Sequence, residues 1–303
     1  MTPPATSTIT QSPHETMEAP QFIHGTHVGP HGSRDYKLFT PSHGRHTELP
    51  LLVMLHGCHQ DSDDFALGTR MNEHAQAQSC IVVYPAQAAR ANSAKCWNWY
   101  DPGNQQREQG EPAIIAELTQ HIVSNHPIAT GRIFIAGFSA GAAMAATVAV
   151  NYPELYTALG IHSGVPHGAA RDFMSAMFAM QHGVMASYAI HPTHRQIPTI
   201  VFHGDEDNII HSTHAAQFIG GNRHAQWPSN ITNRHVESVA RQKNRYGYTR
   251  TVQLGDDQRI FSEHWIVHGG GHAWYGGNAA GTYIDPHGPD AAGEMMRFFA
   301  NRK

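Results

Sequence analysis

Ser139 stands in Gly137-Phe138-Ser139-Ala140-Gly141, a stretch whose residue types and spacing point to covalent chemistry. The apolar run 133–136 precedes it and the small-residue run 142–150 follows. Strand, Gly-x-Ser-x-Gly and helix together make a nucleophile elbow. The turn is so tight that its central residue takes a strained backbone conformation, and glycines flank it because a Cβ would clash. The serine hydroxyl is then lifted clear of the sheet. The helix start below it offers N–H donors and a partial positive charge to a developing oxyanion.

A serine hydroxyl is a poor nucleophile near neutral pH. It needs a base within hydrogen-bond reach and a carboxylate to orient that base. After the elbow, His203-Gly204-Asp205-Glu206-Asp207 ends an apolar run, and Gly270-Gly271-His272-Ala273-Trp274 follows a later one. The order serine, acid, histidine is therefore available. Asp207 is the expected acid, since the short turn before it leaves room to aim its carboxylate. Asp205 is the rival, and it also suits a turn residue bonding its own backbone. Asp285 and Asp290 come after the histidine and would break the order. His272 is the expected base because glycines precede it on a loop after a strand. The backbone N–H groups of Cys58 and Ala140 are the expected oxyanion donors. Trp274 lies two residues from His272, and with Trp97 and Trp99, which cluster with Tyr100 in sequence, it is expected to line the substrate site and stack on a sugar, aryl group or polyester chain.

These groups sit on loops, so the elements around them must do the positioning. Residues 36–39 read as an early edge strand. The runs 51–55, 81–84, 132–136, 159–162 and 198–202 read as buried strands of parallel type. Helical spacing covers 112–124, with Pro112 suited to a first turn. Helices are expected over 169–190, 212–219, 236–243 and 290–300, and alternation at 250–254 and 259–267 predicts two more strands. Residues 86–111 read as loop-like and 221–235 as irregular, and together with the segment 166–196 they are expected to shape the acyl and alcohol pockets. Strands alternating with helices predict one α/β domain with a mostly parallel sheet flanked by helices. Each loop with chemistry then lies at a strand's carboxyl end, where such sheets gather their sites.

Composition narrows the function classes. Lys and Arg total 20 against 24 Asp and Glu, a balance unsuited to neutralising phosphates, so no nucleic-acid partner is expected. No apolar stretch reaches the roughly 18 residues a membrane span needs. The 25 histidines outnumber either charge sign, so charge and stability should shift through mildly acidic pH. His-x-x-His recurs at 191–194 and 211–214, but without a carboxylate or cysteine at ligand spacing, and no metal is expected. Residues 1–20, rich in Thr, Pro and Ser, read as a disordered tail rather than a signal peptide. By sequence the chain is therefore expected in the cytoplasm, unless an export signal lies outside it. Residues 21–303 make the catalytic domain. Three cysteines cannot all pair. Cys80 reads as buried in a strand, while Cys58 and Cys96 either form a disulfide or stay free, according to the compartment. No assembly state is selected.

Together these motifs resemble the polyhydroxybutyrate depolymerase-type esterases of the α/β-hydrolase superfamily. The resemblance rests on Leu55-His56-Gly57-Cys58, Tyr84-Pro85, Cys96-Trp97-Asn98-Trp99, the elbow, His162-Ser163-Gly164, the Asp207 loop and Gly271-His272-Ala273-Trp274. It implies an α/β-hydrolase fold and a cofactor-free serine esterase acting on hydroxyalkanoate oligomers or polyester, with Ser139, Asp207 and His272 as triad. Related members imply feruloyl or acetylxylan esters as the alternative. A peptidase, an acyltransferase or a non-catalytic binding module on the same fold are more distant readings. The family's secreted depolymerases carry an export signal and an appended binding domain. Neither is read here, so soluble oligomers, amorphous polyester or small esters are favoured over crystalline granules.

Overall fold

The computed structural model describes residues 17–44, 47–183, 197–219 and 233–302. In its first half the chain runs β1 (Met17–Glu18), β2 (Gln21–Gly29), β3 (Gly32–Thr40), β4 (His43–Gly44), β5 (Leu49–Leu55), α1 (Ser62–Thr69), α2 (Met71–Gln78), β6 (Ile81–Pro85), α3 (Gly110–Asn125) and β7 (Ile128–Phe138). There follow α4 (Ala140–Asn151), β8 (Ala158–His162), α5 (Phe173–His182), β9 (Thr199–Gly204), α6 (Thr213–Phe218), β10 (Asn233–Val239), β11 (Gly247–Leu254), β12 (Ile260–His268), β13 (Trp274–Tyr275), β14 (Ile284–Asp285) and α7 (Ala291–Ala300).

One sheet carries the molecule, in the order β10-β11-β12-β9-β8-β7-β5-β6-β3-β2. From β12 to β6 all neighbours are parallel, and antiparallel strands finish each side. Every residue of β5, β6, β8 and β9 is buried, because helices cover both faces of the parallel centre. On one face α3, α4, α5 and α6 contribute to a core with Ile115, Leu118, Met144 and Val148. On the other, α1, α2 and α7 bring Phe65, Met71, Met295 and Phe299. Each such side chain, fully buried, contributes roughly 1.5–3 kcal/mol. The single mostly parallel α/β domain is thus the one the alternating pattern predicted.

The structure departs from the sequence-based expectation in five local respects. Residues 36–39 belong to β3, which is not the edge: β2 pairs outside it through a hairpin closed at Gly29 and Gly32. The exposed, polar β2 has little of the apolar alternation that marks a strand, and residues 17–18 within the expected tail already pair with 43–44. Residues 236–239 are strand, not helix, because β10 docks along the full length of β11. Helices α1 and α2 went unread, their short amphipathic patterns being weak; the Asp61 carboxylate caps α1 by accepting from Asp64 N. Lastly, the helix expected over 169–190 begins later, as α5 from Phe173 to His182, and residues 184–190 lie outside the described residues.

Candidate active site

Ser139 lies between β7 and α4 with φ 55° and ψ −122°, a conformation that costs a non-glycine residue on the order of 1–3 kcal/mol. The neighbouring glycines explain how it is tolerated. A Cβ on Gly137 would lie 2.5 Å from the Gly141 carbonyl carbon, and one on Gly141 would lie 2.1 Å from the Leu55 oxygen. The elbow therefore touches the end of β5 with no room for a side chain. Ser139 N donates to the His162 carbonyl at 2.9 Å, tying the turn to the end of β8.

The acid comes from the loop after β9. Asp207 Oδ1 accepts from the N–H groups of Ile209 and Ile210 at 3.0 and 2.9 Å. Asp207 Oδ2 accepts from His272 Nδ1 at 2.7 Å and faces His203 Nε2 at 3.3 Å. Burial alone would raise this carboxyl's pKa. The hydrogen bonds from His203 and His272 outweigh it and hold the group well below the usual carboxylate range. The loop after β12 brings the imidazole, and Ser139 Oγ lies 2.9 Å from His272 Nε2. With Nδ1–H given to the carboxylate, Nε2 is left as the acceptor of the serine proton. Phe138 flanks the imidazole, ring centroids 5.1 Å apart.

Asp205 is oriented elsewhere. Its carboxylate accepts from His268 Nδ1 at 2.8 Å and from Gly269 N at 2.7 Å, so it braces the start of the histidine loop.

Ala140 opens α4, where the first N–H groups have no partner within the helix. Cys58 stands on the turn after β5, in a disulfide with Cys96 that joins this turn to the loop 86–98. The disulfide resolves the question left open by the cysteine count, with Cys80 buried and free. Gly57 is required beside it, since a Cβ there would meet the Phe138 ring at 2.8 Å. His56 Nδ1 donates to the Gly57 carbonyl at 2.7 Å, and its Nε2 accepts from Gln87 N at 3.0 Å. Burial pushes this imidazole down to about 4, so it stays neutral.

The three tryptophans expected to face a substrate are instead buried: Trp97 and Trp274 are 0% exposed and Trp99 is 6%. Trp97 gives its indole N–H to the His56 carbonyl at 3.1 Å, with the Arg34 guanidinium 5.2 Å above its ring. Trp99 meets Tyr100 edge-on. Trp274 turns inward because β13 pairs with β14, and its ring stacks on His162 and meets Phe65 edge-on. Closeness in sequence to His272 did not carry it to the surface. Exposed aromatic rings lie on α5, where Phe173 and Phe178 face solvent beside Met174 and Phe173 meets Tyr100 edge-on, on β2 at Phe22, and at Tyr283, whose ring lies 6.5 Å from that of Phe138.

Among the described residues no group of three or more His, Cys, Asp or Glu is arranged to hold a metal ion. His211 and His214 bond Thr213 Oγ1 and the Ala179 carbonyl, and the 191–194 pair lies outside the described residues. No described helix is long and apolar enough to cross a membrane. The side chains of His56, His162, His203, Gln87 and Tyr275 all hold this site together and carried no assignment from the sequence. The first three stand in motifs that were visible, but only their contacts reveal what the imidazoles do.

Residues 34–225 match the family described as Esterase PHB depolymerase. Poly(3-hydroxyalkanoate) depolymerase C of Paucimonas lemoignei is 34% identical over 141 residues, which are 46% of this chain and 34% of that protein. Feruloyl esterase B of Neurospora crassa is 26% identical over 71% of this chain and 75% of its own length. An acetyl xylan esterase from Aspergillus awamori superposes with a TM-score of 0.66 at 17% identity, over 94% of this chain and all of that one, a likeness of fold. The chain thus spans only about a third of the depolymerase it matches.

Proposed function

Since this chain belongs to the Esterase PHB depolymerase family, we propose that it is a serine esterase acting through Ser139, His272 and Asp207. The observation carrying this reading is the unbroken hydrogen-bonded line from Ser139 Oγ through the imidazole to Asp207. Ser139 attacks the ester carbonyl while His272 takes its proton. The N–H groups of Ala140 and Cys58 hold the tetrahedral oxyanion. His272 then protonates the leaving alcohol, and water activated by the same imidazole releases the acid. No step requires a metal or organic cofactor.

The proposed substrates are 3-hydroxybutyrate oligomers or amorphous polyester. The similarity to the Paucimonas depolymerase supports this, as does the apolar exposure of α5. Feruloyl or acetyl sugar esters are the second reading, favoured by the longer alignment with feruloyl esterase B. The Cys58–Cys96 disulfide supports work in an oxidising compartment, against the cytoplasmic expectation. Ser139→Ala tests the central claim. It should abolish hydrolysis of p-nitrophenyl butyrate and labelling by a fluorophosphonate while circular dichroism stays unchanged. Turnover retained by that variant would refute the assignment. A panel of hydroxybutyrate oligomers, methyl ferulate and acetylated xylo-oligomers ranks the substrates.

A further inference from the structure

His162 closes β8, between Phe138 of β7 and Phe202 of β9 in the sheet register. It is fully buried, and its main chain and side chain face two different parts of the site. The carbonyl accepts from Ser139 N at 2.9 Å and so anchors the elbow. The ring nitrogen Nε2 accepts from Tyr275 N at 3.2 Å, on the segment that follows the catalytic histidine. An amide N–H can only donate, so Nε2 carries the lone pair and the ring proton sits on Nδ1. That nitrogen faces Ser163 Oγ at 3.3 Å, which can accept it.

Tyr275 passes the restraint onward. Its hydroxyl donates to the Gly271 carbonyl at 2.6 Å, immediately before His272. The fit leaves no slack, since a Cβ on Gly204 or Gly270 would lie 2.1 or 2.5 Å from the Tyr275 hydroxyl oxygen. Trp274 stacks on the His162 ring at 4.9 Å and 24°, while Phe202 lies parallel on it at 5.7 Å. The plane of the imidazole is thereby fixed as well as its reach. Burial pushes its pKa well below the ordinary histidine range, and the neighbouring His203 and His272 push the same way. The ring therefore remains an acceptor as the medium becomes mildly acidic.

We propose that His162 is a positioning residue that locks the base loop to the nucleophile elbow through Tyr275, setting the Ser139–His272 distance. A core-filling role would ask only for volume and apolar contact in that place. The contacts ask for more: an acceptor at the end of the ring, without which the buried Tyr275 N–H is left unpaired. The inference rests on the triad proposed above. Ser139→Ala tests that triad, whereas the variants below test the linkage in an enzyme that still turns over.

The test compares His162→Gln with His162→Met in the full chain. The two side chains are similar in length and volume, but Gln offers an amide oxygen and Met only a weak thioether acceptor. With p-nitrophenyl butyrate, His162→Met is expected to lower kcat roughly 10- to 100-fold with KM little changed, as misplacement of a catalytic group does. His162→Gln is expected to recover most of that loss at a matched Tm. Equal kcat for the two variants, or a loss confined to KM, would overturn the proposal. Should either variant fail to fold, Tyr275→Phe gives an independent answer. It leaves His162 in place and removes only the bond to Gly271, so kcat should fall, and an unchanged kcat would overturn the linkage.

Discussion

Asp207 accepts from His272 Nδ1 at 2.7 Å, while Asp205, two residues earlier, directs its carboxylate to His268 and Gly269. Only one of these two aspartates can therefore hold the imidazole in the tautomer that leaves Nε2 free for serine. Asp207→Asn should lower kcat by about 10⁴-fold with the fold intact. Asp205→Asn removes a brace at the loop's origin and should cost far less, about 10-fold or below. Steady-state kinetics on the two variants decides the acid, and a larger loss from Asp205→Asn would reverse the assignment.

Trp274 is buried between Phe65 and His162, so its truncation should act on stability before recognition. Trp274→Ala is expected to lose about 3–5 kcal/mol in urea unfolding. A variant of undiminished stability with a large rise in KM for aromatic esters would instead return the indole to the substrate site.

Cys58 and Cys96 close a loop of 38 residues that includes α1, α2 and β6. Chain entropy puts the stabilisation from such a closure at roughly 4 kcal/mol. Cys58 is also the proposed oxyanion donor on the turn after β5. Treatment with dithiothreitol, or the Cys58→Ser/Cys96→Ser pair, should lower Tm and kcat together. If Tm falls while kcat per folded molecule is unchanged, the bridge has no part in placing the donor.

What could be read in advance divides along physical lines. The parallel centre was legible because strands buried on both faces are written as unbroken apolar runs, as in 51–55 and 81–84. The elbow was legible because Gly137 and Gly141 meet backbone atoms where no Cβ fits. Chain order narrowed the acid and base, the short turn before Asp207 and the glycines before His272 selected them, and the fold brings both to one line with Ser139. The edges were not legible. β2 and β10 are largely exposed and owe their conformation to a neighbour's ladder rather than to a pattern of their own. The tryptophans failed for a related reason: an aromatic near a site reads the same whether it faces in or out, and only the β13–β14 pairing turns Trp274 inward. Gln87 and Asn98 of the 86–98 loop share a partly buried polar network with Glu111 of α3, which no local spacing announces.

Acid should unfold this protein through its buried histidines. Burial holds His56 and His264 down to about 4, against an ordinary value of 6.5. An unfolded chain takes up these protons as pH falls below 6.5, while the folded protein declines them until about pH 4. The unfolded state thus binds more protons across that window, and stability falls as pH falls. Their contribution is complete above pH 6.5 and is lost on the way down to pH 4. At 1.36 kcal/mol per pH unit each histidine accounts for at most on the order of 3 kcal/mol. Asp207, held low in the folded state, adds a loss of the same sign at lower pH. Urea unfolding at pH 7, 5.5 and 4.5 should show a steady decline. His264→Phe should make it shallower, because His264 is buried with its Nε2 lacking a hydrogen-bond partner, while His56 keeps its own share of the decline. A stability profile level from pH 7 to 4.5, or one that His264→Phe leaves as steep as before, would show that other groups govern the acid limb.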